Sequence, residues 1–211
     1  MNVRRELVRG VVLGLAIGLT SCEMPEMFRS DPAGVPFVLP GYVRRAPVEV
    51  AMLPIQQIEA FGETDASLLR EEIYRVLLAK SYTPVNPEYS DPALAPVLPD
   101  PLAAPGQTPE IAALNRALDT DGFLTVRMVA AERKPNRDVD IFRLRGRAVL
   151  YDAEGGTVLF DHELDLSFEV TPGTSKTLSG SELKKTIASF ANRLLGPLPA
   201  RKSSPPGVSE S

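Results

Sequence analysis

Polar and apolar positions alternate most regularly between residues 48 and 195. "PVEVAMLPI" opens this region with a compact apolar run, Val48 to Ile55, that predicts a strand. In "TDASLLREEIYRVLLAK" the apolar residues Leu68, Leu69, Ile73, Val76, Leu77 and Leu78 recur at helical spacing, with Asp65 as the expected cap. Arg70, Glu71 and Glu72 fall on the polar side of that helix and read as a solvated face. "SYTPVN" predicts a short strand that Pro84 confines to a sheet edge. "TPEIAALNRALD" starts a second helix: Thr108 caps it, Pro109 sits in the first turn, where its missing N–H does no harm, and Glu110 suits the dipole.

Three long strands follow, "GFLTVRMVAAERK", "VDIFRLRGRAVLY" and "TVLFDHELDLSFEV". The region closes on "SGSELKKTIASFANRLL". There Ser179 and Glu182 stand at capping-box spacing, and Leu183, Ile187, Phe190 and Leu194 form an apolar stripe. The expected order is β-α-β-α-β-β-β-α, an α+β domain with one mixed sheet and helices packed on one face.

Alternation along the last two strands separates charge from apolar bulk. Arg143, Arg145 and Arg147 share one face of the first, and Asp161, Glu163 and Asp165 share one face of the second. A three-residue loop at Ala153–Gly155 would place Arg147 opposite Asp161, Arg145 opposite Glu163 and Arg143 opposite Asp165. Such a ladder specifies register, because a slip of one residue buries the arginines. An arginine row could hold an anion, but the facing carboxylates neutralise it.

Proline marks the flanks. Residues 22–46 carry Pro25, Pro32, Pro36 and Pro40 and read as an extended tether, although "VPFVLPGY" is apolar enough to dock on the domain or on a partner. Residues 84–109 hold eight prolines, a spacing in which no helix is expected. This crossover either wraps the surface or displays Tyr89, Leu94, Val97 and Leu98 to a partner. Residues 198–211 are polar and Pro/Ser-rich and predict a disordered tail, which leaves 47–197 for one domain.

The first residues settle an address. Arg4, Arg5 and Arg9 precede "VVLGLAIGLT", an apolar run about half the roughly 20 residues that a membrane span needs. The start therefore reads as a signal peptide, residues 1–21. After it comes "LTSC", with the sole cysteine of the chain at position 22. Leucine, two small residues and cysteine resemble the lipobox of bacterial lipoproteins. The resemblance implies cleavage between Ser21 and Cys22 and a covalent lipid on Cys22, with acyl chains that hold a soluble domain at a membrane. Glu23, where an aspartate favours inner-membrane retention, places the anchor by the same resemblance in the outer membrane, with the inner membrane as the alternative.

Removing Arg4, Arg5, Arg9 and Glu6 from the 23 basic and 27 acidic residues leaves 20 and 26, a net charge of about −6. An acidic chain without a basic cluster argues against nucleic acid or anionic lipid as the main partner. A single cysteine excludes an intrachain disulfide, and with His162 the only histidine a zinc site has no ligand set. His162 falls on the apolar face beside Phe160 and Leu164. No Gly-x-Ser-x-Gly motif, phosphate loop or dinucleotide fingerprint is present. The expectation is a protein without catalytic residues, metal or cofactor other than the lipid.

"VEVAMLPI", then a helix, then "DTDGFLTVRMVAAE", then "RAVLYDAEGGTVLFDHEL", then a final amphipathic helix together resemble a group of bacterial periplasmic and outer-membrane lipoproteins. These share a CsgG/PelC/LpoB/TolB amino-terminal-like α+β domain. Leu53-Pro54 matches the first shared motif, Asp121 to Leu124 the second and Asp152 to Phe160 the third, over residues 47–195. The resemblance implies an assembly or regulatory part that binds other envelope proteins or itself. Two alternatives stay open: a ligand-binding accessory lipoprotein of a transporter, with a pocket under the 84–109 segment, and a ring-forming secretion-channel subunit.

Overall fold

The computed structural model describes residues 34–56, 58, 60–98, 110–134, 139–170 and 180–201. Its frame is an antiparallel meander of three thirteen-residue strands, β4 (Gly122–Lys134), β5 (Asp140–Asp152) and β6 (Val158–Val170). β2 (Glu49–Met52) joins β4 in parallel, and β3 (Thr83–Pro84) joins β2 in parallel at the edge, where proline's missing N–H is tolerated. At the other edge β1 (Phe37–Val38) pairs antiparallel with β6. The result is one six-stranded mixed sheet, in the order β1-β6-β5-β4-β2-β3.

The two long helices, α2 (Glu63–Ala79) and α5 (Gly180–Leu194), pack together on one face. Leu69, Ile73 and Leu77 from α2 and Ile187, Phe190 and Leu194 from α5 are fully buried against Met52, Leu124, Leu144, Leu150 and Phe160. Gly146 permits the close approach of α5: a Cβ there would come within 3.2 Å of the Phe190 ring and 3.1 Å of the Arg127 carbonyl oxygen. α2 begins at Glu63 with Gly62 as its cap, so Asp65 lies inside the first turn instead of capping it.

The expectation of helices on a single face needs correction, because a smaller layer covers the other. α3 (Pro87–Leu94) and α4 (Ile111–Ala117) bury Leu94, Ile111, Leu114 and Leu118 against Ala51, Leu53 and Phe123. Strand β2 and the residue after it serve both layers, Val50 and Met52 facing one and Ala51 and Leu53 the other. α3 also overturns the expectation that no helix survives within 84–109. Pro87 occupies the first position, where it does no harm, and Asn86 accepts from the Glu88 N–H at 3.0 Å. Pro92 falls inside the helix, and beyond it the Ala95 N–H still donates to the Asp91 carbonyl at 2.9 Å. The expected caps Thr108, Pro109 and Ser179 lie outside the described residues.

Both flanks also differ from expectation where they are described. Residues 34–46 do not simply tether: β1 joins the sheet, and α1 (Tyr42–Arg45) buries Tyr42 in the main core. The domain does not stop at 197, since Leu198 is buried in the same core. Lys80 Nζ donates to the carbonyls of Gly196 and Leu198 at 3.1 and 2.7 Å, and the Arg201 N–H donates to the Lys80 carbonyl at 2.8 Å. The signal peptide, Ser21, Cys22 and the tail from 202 onward lie outside the described residues.

Candidate functional site

The charged face of the meander carries the arginine and carboxylate columns. Arg143 pairs with Asp165, Nε donating at 2.8 Å; Arg145 pairs with Glu163, Nε donating at 2.6 Å; Arg147 pairs with Asp161, Nε donating at 2.7 Å. The partners are those expected, yet the register is not. In the ladder Arg145 stands opposite Asp165 and Arg147 opposite Glu163, so every ion pair is a diagonal one. The turn accounts for the difference. It closes with Asp152 N–H to Thr157 carbonyl at 2.9 Å and holds Gly156 at a φ of 62°, which glycine adopts without strain. A bulge opposite Leu150–Tyr151 inserts Leu159. Together these shift the pairing by two residues, which leaves the faces unchanged and stays within the reach of an arginine side chain. The Asp165 carboxyl is held below its ordinary range, chiefly by the hydrogen bonds from Arg143, and the Arg147 guanidinium is raised by its bond to Asp161.

His162 lies in the interior, with its Nδ1 2.7 Å from the carbonyl oxygen of Leu194 and its ring edge-on to Phe160 at 6.2 Å. A carbonyl only accepts, so Nδ1 carries the proton and closes one of the orphan carbonyls at the end of α5. The residue is a structural cap. Among the described residues no group of three or more His, Cys, Asp or Glu side chains is placed to hold a metal ion.

Of the four residues expected on display, the structure separates one from three. Tyr89 is 69% exposed on α3. Leu94 is fully buried, and Val97 and Leu98 pack half-buried against the same small core, so α3 and α4 take up the apolar surface that the segment was expected to present. Among the described residues, Leu94, Leu114, Leu118 and Phe123 pack together beneath α3 and α4, where a ligand pocket was the alternative.

Several polar arrangements escape the sequence. Arg70, expected on a solvated face, is drawn inward to Asp91: both terminal nitrogens donate to its carboxylate at 2.5 Å, and Nη2 also donates to the Met52 carbonyl at 2.7 Å. This clamp ties α2 to α3 past the edge of β2. Glu72 is likewise buried and pairs with Arg75 at 2.5 Å, leaving Glu71 as the exposed member of the run. Arg133 and Asp140 form an inward pair across the far end of the β4–β5 hairpin, Nε donating at 2.9 Å. The Asp121 carboxylate accepts from the N–H groups of Val48 and Glu49 at 2.9 and 3.0 Å, fixing the start of β2 beside β4. The next residue is glycine because a Cβ at 122 would lie 3.0 Å from both Pro47 and the Tyr151 carbonyl. Only this last arrangement had a signal in the sequence, the "DTDG" junction.

The arrangement of sheet, helices and termini can be set beside known proteins. No family model matches the sequence, and no curated protein matches it. Among solved structures, Lipoprotein GNA1162 from Neisseria meningitidis is similar with a TM-score of 0.50 at 10% identity, over 71% of this chain and 99% of that one. This chain shares its fold with a lipoprotein. The PelC dodecamer from Paraburkholderia phytofirmans is similar at a TM-score of 0.48 and 15% identity, over 80% and 97% of the two chains. The LpoB C-terminal domain from Salmonella enterica is similar at 0.32 and 12%, over 59% and 83%. The likeness to GNA1162 bears out, at the level of the fold, the lipoprotein resemblance read from the three sequence motifs. No helix among the described residues is long and apolar enough to cross a membrane.

Proposed function

We propose that the chain is a lipid-anchored protein of the bacterial envelope that works without catalysis, as a protein-binding or assembly component of a periplasmic or outer-membrane complex. One conjunction carries the reading: a chain that places "LTSC" after a short apolar run shares its fold with a lipoprotein. Cys22 carries the lipid in this reading, the anchor sits in the outer membrane, and the domain faces the periplasm. The side chains suit a scaffold. His162 is committed to a helix end, the arginine columns are neutralised by carboxylates, and the layer under α3 and α4 is packed with apolar side chains. Tyr89 on α3 is the side chain of the former display set that remains open to a partner. Aromatic side chains of this kind anchor protein interfaces.

A photo-crosslinking residue at position 89, in the full-length protein within native membranes, tests the contact. The expected result is one envelope protein joined through position 89 and recovered again when that partner is purified in its turn. A chain that yields no adduct there, and no partner or second copy by general crosslinking, would overturn the assembly reading.

A further inference from the structure

Seven large apolar side chains are exposed among the described residues, and four of them, Val35, Phe37, Val43 and Val48, lie in the stretch that leads into the domain. Single exposed apolar residues are ordinary, whereas a concentration in one stretch marks a contact. Hydrogen bonds show what shares this end of the molecule. Tyr42 in α1 bonds to the Tyr82 hydroxyl at 2.6 Å, and Tyr82 donates to the Pro199 carbonyl at 2.7 Å. The entry stretch, the end of α2 with its exposed Leu78, and the exit at 196–201 therefore meet at one pole.

Charge divides in the same way along the chain, although the Asp121 carboxylate borders this end, where it accepts from the Val48 and Glu49 N–H groups. In a chain of net charge −4, the stretch from Pro32 through Val48 contains no acid but does contain Arg44 and Arg45. From Leu183 through Val208 there is again no acid, and Lys184, Lys185, Arg193, Arg201 and Lys202 are all basic. Arg44 and Arg45 are exposed at the end of α1 and form no ion pair among the described residues. Arg201 is held to the same pole by its N–H bond to Lys80.

We propose that this pole rests on an anionic phospholipid surface, with Val43 and Leu78 entering the headgroup layer and Arg44, Arg45 and Arg201 meeting the phosphates. Apolar side chains flanked by arginines partition to the boundary between headgroups and acyl chains, and cations near the surface are drawn to anionic lipid. The proposal rests on the anchored reading above: eleven residues separate Cys22 from Gly34, and β1 then carries the described chain to α1 at this pole. The lipid and the pole are then two contacts of one orientation, which leaves Tyr89 and the charged face of the sheet turned to other proteins.

The test uses full-length protein purified from membranes and reconstituted in phosphatidylcholine vesicles with or without phosphatidylglycerol. An environment-sensitive fluorophore is attached at Val43→Cys or Leu78→Cys, with Tyr89→Cys as reference. Labels at 43 and 78 should shift to the blue and be quenched by nitroxide lipids several-fold more than the label at 89. Phosphatidylglycerol should strengthen the effect, and Arg44→Glu with Arg45→Glu should weaken it. Labels that stay in water while Cys22 carries its acyl chains overturn the proposal and leave the anchor intact. Shielding that requires other envelope proteins overturns it in favour of a protein contact. A chain with no lipid on Cys22 overturns the anchored reading, and the proposal with it.

Discussion

Ser81 holds a φ of 65° at the end of α2, the left-handed conformation that closes helices most readily with glycine. Its N–H reaches the Leu78 carbonyl and the Tyr82 N–H reaches that of Leu77, the paired bonds of a Schellman ending. The Cβ of a serine is strained there, so Ser81→Gly should stabilise the fold by about 1 kcal/mol in chemical denaturation. Asp165 makes a pH prediction of definite sign. Its carboxyl is held below the ordinary value by Arg143, so its contribution is complete above the unfolded value of about 4 and fades as pH falls through the folded one. Asp165→Asn should therefore lower the melting temperature at neutral pH, with the gap to the parent closing on acidification. A gap that stays constant down to about pH 2 would contradict this assignment. Tyr42 and Tyr82 are displaced the other way, both raised chiefly by burial. They stay neutral in the fold, and their contribution fades as pH climbs above about 10, where an unfolded chain ionises them.

Among the elements, the last described residues contribute more than their composition indicates. "LPARK" reads as the start of a polar tail, yet Leu198 fills a place in the main core and Pro199 accepts from Tyr82. A stop after Pro197 removes both, and the expected loss is about 2–5 kcal/mol, the range for deleting a buried leucine. A stop after Arg201 keeps every one of these contacts and should leave the unfolding midpoint where it is. The hairpin shows why some of this was legible and some not. Alternation over β5 and β6 fixes which side chains share a face, so an arginine column beside a carboxylate column could be read from the pattern; the individual partners agree with the expected ones because the diagonal pairs of the observed register coincide with the direct pairs of the expected one. Register depends on the turn, and neither the left-handed Gly156 nor the inserted Leu159 changes the alternation that the pattern reports. α3 was missed for a different reason. Two prolines argue against a helix in isolation, but Pro87 stands where a helix tolerates it and burial of Leu94 offsets the cost of Pro92. Arg70 was missed because its partner, Asp91, lies on that unexpected helix.

At the scale of the molecule, the sheet is closed off at both edges by short strands, β3 with Pro84 and the two-residue β1. Short or proline-bearing edges limit unwanted pairing. The same β1 carries the entering chain onto the domain, so the segment after the candidate anchor is partly built into the fold. Fold class and the two long helices were legible because their apolar periodicity is strong. The docking of residues 34–46 was not, because "VPFVLPGY" supports either a tether or a packed segment until the Tyr42–Tyr82 bond decides it. The central claim is that the domain is held to the envelope by a lipid on Cys22. The most direct measurement is the intact mass of the protein extracted from membranes, with its amino-terminal peptide sequenced by mass spectrometry. A chain that begins at Cys22 and carries acyl chains on that residue is the predicted result. A chain that retains residues 1–21, or begins at Cys22 without lipid, would contradict the account.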